Sequence, residues 1–198
     1  MKKLLLIIAL LISTGGFCID YSTLQTGNFQ TASTWAFGGR TPPTPSVGNS
    51  AYVSVNSGHT VTLNSNIIFG NNCNLDVYGT LIINGDLIAD NNSLTINVPC
   101  ELIVNGKMEG KNGATIAISG NVSVSGDVVF NNGGSITLDS GNVNIGGNFI
   151  GDQNSEIYGT GTIDVGGNNS FDSDPPETID IKPYSGLPVE LLFLINNF

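Results

Sequence analysis

Apolar and polar residues alternate in short runs along most of this chain, and the runs recur. Laying GTLIINGDL, CELIVNGKM, GNVSVSGDV, GNVNIGGNF and GTIDVGGNN under one another aligns Leu81 and Ile83 with Leu102 and Val104, Val122 and Val124, Val143 and Ile145, and Ile163 and Val165. A period of two belongs to strands with one buried face, not to helices. The segments begin at Gly79, Cys100, Gly120, Gly141 and Gly161, and HTVTLNSNI from His59 fits one step earlier. Repetition at a near-constant step of about 20 residues marks an architecture of stacked units.

Each unit has room for three strands. A second column reads Ile67, Leu87, Met108, Val128 and Phe149, and a third is expected to carry Leu75, Leu94, Ile116, Ile136 and Ile157. One such unit cannot bury its apolar face alone, whereas stacked units share a continuous core. The expected fold is therefore all-β, a single-stranded parallel β-helix, or β-solenoid. It would have about six turns of about 20 residues, each with three short strands. At about 4.8 Å per turn the rod would be about 30 Å long. Right-handed coiling is the default for parallel strands joined by crossovers.

The corners have their own pattern. Gly85, Gly106, Gly126, Gly147 and Gly167 recur where the first strand bends into the second, and are expected to supply positive φ there. Asn71, Asn72, Asn91, Asn92, Asn131 and Asn132 mark the next corner, because asparagine accepts left-handed geometry and its amide can bond a neighbouring turn. The coil is assigned to residues 58–169. Residues 19–57, which contain the only tryptophan, Trp35, are expected to cap the unpaired edges of the first turn, and residues 170–198 to form a tail or linker.

Residues 1–18 read as an export signal, with Lys2 and Lys3 followed by an apolar run from Leu4 to Ile12 and the small residues Ser13 to Gly16. Nine apolar residues fall short of the about 20 needed to span a bilayer, so no transmembrane segment is expected in the mature chain. Cys18 invites a lipid-anchor reading, but a lipid-attached cysteine usually follows a small residue, and Phe17 is bulky. Loss of the signal leaves Arg40, Lys107, Lys111 and Lys182 against sixteen acidic residues. Such a surface repels phosphate backbones and excludes nucleic acid as the expected partner. Its abundant Asn, Ser, Thr and Gly suit contact with extracellular polysaccharide or a surface protein. Cys73 and Cys100 sit at opposite ends of a strand length, beyond the about 7 Å that a disulfide tolerates, and are expected as buried or half-buried free thiols.

The N-terminal pattern GNFQTASTWAFGG, the prolines Pro42, Pro43 and Pro45, and VSVNSGHTVTLNSNI resemble the opening of glycine-rich parallel β-helix domains in Gram-negative surface proteins exported by the type IX route. Gly27, Phe29, Thr34, Trp35, Gly58, His59, Thr60 and Val61 fill the places of that pattern, with Phe29 where tryptophan is more usual. SGLPVELLFLINNF resembles the lead-in to the sorting domain of such proteins, so the expectation is a chain that stops short of that domain. The resemblance implies an exported, secreted or cell-surface protein.

Candidate chemistry is sparse. His59 is the only histidine and has no partner at metal-ligand spacing, so it is assigned a structural role, as is Trp35. Asp172, Asp174 and Glu177 in DSDPPE are the candidate calcium ligands, although the run lacks the glycine and spacing of a calcium loop. No other cofactor is implied. A polysaccharide lyase needs a base and a cation to neutralise its substrate, and a hydrolase needs converging carboxylates. Asp86 and Asp127 share a column but lie two turns apart with Lys107 between them, and Asp164 stands alone. The outward column Thr62, Ile82, Ile103, Ser123, Asn144 and Asp164 lacks the threonine ladder of an ice-binding face. The expected function is a non-catalytic rigid, adhesive or glycan-contact module. The alternative is a polysaccharide-active β-helix enzyme or a fragment of one.

Overall fold

A computed structural model describes residues 19–36, 43–48, 50–90, 95–152 and 154–171. Apart from one 3₁₀ turn at Ala32–Thr34, every element among them is a β-strand. The strands form three sheets of seven, seven and eight members, each member except Trp35–Ala36 drawn from a successive turn of the chain. One turn runs from Thr80–Ile83 in the first sheet to Leu87–Asp90 in the second and Thr95–Val98 in the third. The chain is thus a parallel β-solenoid. Five turns are complete, from Thr60 to Gly159, and a sixth has its first two strands, Thr162–Val165 and Asn169–Phe171.

Register follows the columns of the repeat. Leu102 lies between Leu81 and Val122, and Met108 between Leu87 and Val128. The third sheet differs at one place: Leu75 and Ile116 both pair with Ile96, not with Leu94, which lies outside the described residues. Ile96 falls almost midway between Leu75 and Ile116 in the chain, whereas Leu94 would break the near-constant step that keeps every later turn in register.

Alternation sends every second side chain inward, and the core is a stack of aliphatic layers in which Leu63, Ile83, Leu102, Met108 and Ile116 have no solvent exposure. Bulk in one turn fits a gap in the next. A Cβ on Gly110 would lie 2.7 Å from the Phe130 ring, so Phe130 occupies space that Gly110 leaves open, and that ring meets Phe149 edge to face at 6.2 Å.

The recurring glycines have a reason other than the expected one. Gly85, Gly106, Gly126, Gly147 and Gly167 do not have positive φ. They are crowded: a Cβ on Gly106 would come within 2.5 Å of both the Gly85 carbonyl oxygen and Asp86 Oδ1. Turns stack backbone on backbone at this corner, and no side chain fits between them. Positive φ falls at the following corner, at Asn72 (54°), Asn112 (52°), Asn132 (53°) and Asn154 (67°). Asn112 and Asn154 join the asparagines expected there, while Asn91 and Asn92 lie outside the described residues.

Residues 19–57 extend the coil as well as closing it. Gly27–Asn28, Ser46–Val47 and Ala51–Val55 add one parallel strand to the first, second and third sheets respectively. Closure comes from Trp35–Ala36, which pairs antiparallel with Ile19–Thr23. Trp35 is buried and donates from Nε1 to the Phe29 carbonyl at 2.6 Å, with Phe29 and Tyr21 packed edge-on at 5.1 and 6.2 Å. Gly27 is required there because a Cβ at that position would collide with Thr34 Oγ1. Thr34 donates that hydroxyl to the Asn28 carbonyl at 2.9 Å.

Crowding of this kind separates two substitutions. Gly106→Ala should destabilise the protein by about 1–3 kcal/mol, because a methyl group is forced against backbone. Gly48→Ala, with nothing within 4 Å of the new Cβ, should stay within about 0.5 kcal/mol of wild type. Urea unfolding of the two variants, followed by circular dichroism, measures the difference.

Candidate functional site

The corners and outer faces of the three sheets are what the fold offers to a partner. Polar side chains form ladders along the rod axis, at the corners that follow the first and second sheets and, for Asn142 and Thr162, on the first sheet itself. Asn84 Nδ2 donates to Asn64 Oδ1 and Asn105 Nδ2 to Asn84 Oδ1, both at 2.7 Å. Asn132 Nδ2 donates to Asn112 Oδ1 at 2.7 Å, and Thr162 Oγ1 to Asn142 Oδ1 at 2.6 Å. An amide has two N–H donors and a carbonyl oxygen with two lone pairs. A ladder member such as Asn84 therefore keeps one donor and one acceptor for solvent or a ligand, repeated at about 4.8 Å.

A second ladder braces the glycine corner. Asn66 Oδ1 accepts the N–H of Asp86, Asp86 Oδ1 that of Lys107, Asp127 Oδ1 that of Asn148, and Asn148 Oδ1 that of Asn168, at 2.7–2.8 Å. Lys107 interrupts this column because its side chain has no acceptor. The two aspartates that flank it each spend an oxygen on the next turn, so they do not converge as a pair of catalytic carboxylates would.

Lys107 instead reaches over the second sheet to Glu109, the one acidic side chain described as buried, at 8% exposure. Glu109 Oε2 lies 2.7 Å from Lys107 Nζ, and Oε1 lies 3.2 Å from both Lys111 Nζ and Asn131 Nδ2. Strand alternation puts Glu109 on the outer face between Ile88 and Val129. Burial pushes its carboxyl pKa up, but the lysine hydrogen bonds and charges outweigh burial and hold it below the ordinary value. Glu109 in turn raises Lys107, with Asp86 and Asp127 adding to the effect. The one carboxylate of the cluster is held by two lysines, so Glu109 is not a free base. Sequence inspection missed it, although lysines two residues either side of an acid, in a strand, place all three on one face.

A third group lies on the outer face and edge of the third sheet. The Tyr52 hydroxyl donates to Asp76 Oδ2, and the Tyr78 hydroxyl approaches the same oxygen at 3.5 Å. The bond to Asp76, burial and the Asp76 charge together push the Tyr52 pKa up to about 12. Tyr78 is 44% exposed, so an aromatic face stands in solvent beside a carboxylate. That combination can stack on a sugar ring and accept its hydroxyl protons.

Of the residues singled out from sequence, His59 lies in the N-terminal part of the coil, where its Nδ1 is 2.8 Å from Thr23 Oγ1 and its carbonyl accepts the Thr80 N–H. Cys73 and Cys100 are free thiols; Cys73 is buried as expected, but Cys100 is exposed, because it sits on the corner before Glu101. Asp172, Asp174 and Glu177 lie outside the described residues. Among the described residues no three His, Cys, Asp or Glu side chains come together as a metal site, and no helix is long and apolar enough to cross a membrane.

Comparison with family models, with curated proteins and with solved structures found no match to this chain.

Two titrations follow from these geometries. Replacing Asp76 by Asn should bring the Tyr52 hydroxyl down from about 12 towards the ordinary 10, read by ultraviolet titration of tyrosinate. Glu109→Gln should cost on the order of 1–2 kcal/mol at neutral pH, a modest figure because both lysines remain partly solvated. Since the folded-state pKa of Glu109 is depressed, this contribution is present above the unfolded carboxylate pKa and fades as pH falls through the folded value. Wild type and variant should therefore converge in stability in acid, as measured by urea unfolding at a series of pH values.

Proposed function

We propose that this chain is the rigid β-helical part of an exported, secreted or cell-surface protein, and that it presents a contact surface to an extracellular polysaccharide or surface protein without catalysis. The observation that carries the reading is the axial ladder. Side-chain amides stack across successive turns at about 4.8 Å, and a member such as Asn84 keeps one donor and one acceptor to spare. The exposed ring of Tyr78 beside Asp76 adds a stacking platform at a different corner, between the third and first sheets.

Export rests on the pattern Lys2, Lys3 and Leu4 to Ile12, and surface display on the resemblance of GNFQTASTWAFGG and GHTV to type IX-exported proteins. A stack of aliphatic layers under backbone-to-backbone corners makes a stiff element, which suits holding a partner at a fixed distance. The outer faces combine apolar side chains such as Ile68 and Ile88 with polar ones, and the surface charge is mainly acidic, so contact through hydrogen bonds and stacking is favoured over steering of an acidic partner.

Affinity electrophoresis through gels containing soluble neutral or acidic polysaccharides tests the reading. Retarded migration is expected with at least one glycan, with the retardation lost in Tyr78→Ala and kept in Gly48→Ala. Release of new reducing ends or unsaturated sugars from the same glycans would overturn the non-catalytic assignment in favour of a polysaccharide-active enzyme.

A further inference from the structure

The outer face of the third sheet is built differently from the other two. Ile96, Ile116 and Ile136 point into the core and Ile157 packs against it, so alternation turns their strand neighbours outward. One outward row runs along the rod as Asp76, Asn97, Ala117, Thr137 and Tyr158, in register from turn to turn. Thr115, Ser135 and Glu156 lie in the row beside it.

Both ends of this face couple an aromatic ring to a carboxylate. At one end the Tyr52 and Tyr78 hydroxyls meet at Asp76 Oδ2. At the other, Glu156 and Tyr158 share the outer face of one strand. Between them Asn97, Thr115, Ala117, Ser135 and Thr137 are uncharged and none is larger than asparagine, so the floor is low and polar. Four ladder steps separate the strand of Asp76 from that of Tyr158, a length of about 19 Å. The other faces lack this pattern. The second sheet turns Ile68, Ile88, Val129 and Ile150 outward around the Glu109 cluster, and the first sets Ile82 and Ile103 beside Glu101.

We infer that this face is a binding trough for a neutral polysaccharide chain lying along the rod axis, stacked on Tyr78 at one end and Tyr158 at the other. The inference rests on the reading of this chain as a glycan-contact module, and adds the face, the direction and the class of glycan.

A sugar ring presents C–H groups on its faces and hydroxyls at its rim, which suits an aromatic ring with polar groups beside it. Tyr78 is 44% exposed, and its hydroxyl approach to Asp76 orders the ring before a ligand arrives, which lowers the cost of binding. The floor hydroxyls and the Asn97 amide both donate and accept, as sugar hydroxyls do. Ser135 Oγ already donates to Thr115 Oγ1 at 3.3 Å, a link between turns in the direction the glycan would take. Charge decides the class. Carboxylates stand at both ends, while Lys107 and Lys111 are held at Glu109 on the second sheet, so an acidic chain would be repelled and a neutral one would not.

Isothermal titration of the full chain tests this, with β-glucan, xylan and mannan oligosaccharides of graded length as neutral probes and alginate oligomers and polylysine as charged ones. At least one neutral series is expected to bind, with affinity rising with length until the trough is spanned and then levelling. Tyr158→Ala should weaken binding by about tenfold. Ala117→Arg, which fills the floor, should abolish it, whereas Ser123→Arg, the same side chain on the first sheet, should leave it unchanged. Circular dichroism checks that each variant is folded, and Tyr158→Ala decides alone if Ala117→Arg is not. Neutral binding that survives Tyr158→Ala and Ala117→Arg would overturn the trough and leave glycan contact on another face. Preference for alginate or polylysine would overturn the class of ligand. Failure of wild type to bind any glycan would overturn both the trough and the reading on which it rests.

Discussion

Everything in this molecule depends on turns lying in register at the spacing of a β-ladder. The N–H of Asn84 reaches the Leu63 carbonyl, that of Asn105 reaches Ile83, and that of Ser125 reaches Val104, so hydrogen bonding continues through the corners between strands. Backbone held this closely leaves no room for a Cβ at Gly106 or Gly126, and it forces the amides of Asn64, Asn84 and Asn105 into contact. The glycine columns, the asparagine ladders and the layered core are consequences of one constraint, the near-constant length of a turn.

That constraint also explains how one charged cluster is tolerated on an otherwise aliphatic strip. The second sheet turns Ile68, Ile88, Val129 and Ile150 outward, and Glu109 occupies the middle of that row. An isolated carboxylate there would be expensive. Lys107 and Lys111, two residues either side on the same face, and Asn131 from the next turn satisfy both of its oxygens. The cost to the corner ladder is one missing acceptor, since Lys107 replaces the Asn or Asp found at positions 66, 86, 127 and 148.

The fold was legible in the chain because an alternation of two and a near-constant repeat length are both one-dimensional signals. The columns through Leu102 and Met108 could be read without coordinates. Leu94 was misassigned because a single apolar residue matched the pattern while only the step length separated it from Ile96. The glycine corners were located correctly for the wrong reason: positive φ and steric exclusion select the same residue, and only the positions of neighbouring backbone atoms distinguish them. The outer faces were least legible. Tyr52, Asp76 and Tyr78 meet through contacts between adjacent turns, 24 residues apart for Tyr52 and Asp76, and nothing in their local sequence announces the encounter.

Strands that lie across the rod and bond only to the turns before and after have a mechanical consequence. A pull applied along the axis loads the bonds of one terminal turn at a time instead of sharing the force among all of them. Each turn that peels away frees about 20 residues, or about 70 Å of extended chain, from an element that occupied about 4.8 Å. The antiparallel, tryptophan-anchored edge at Trp35–Ala36 guards one end against such peeling, so the rod is stiff in bending yet yields in steps under tension from the other end.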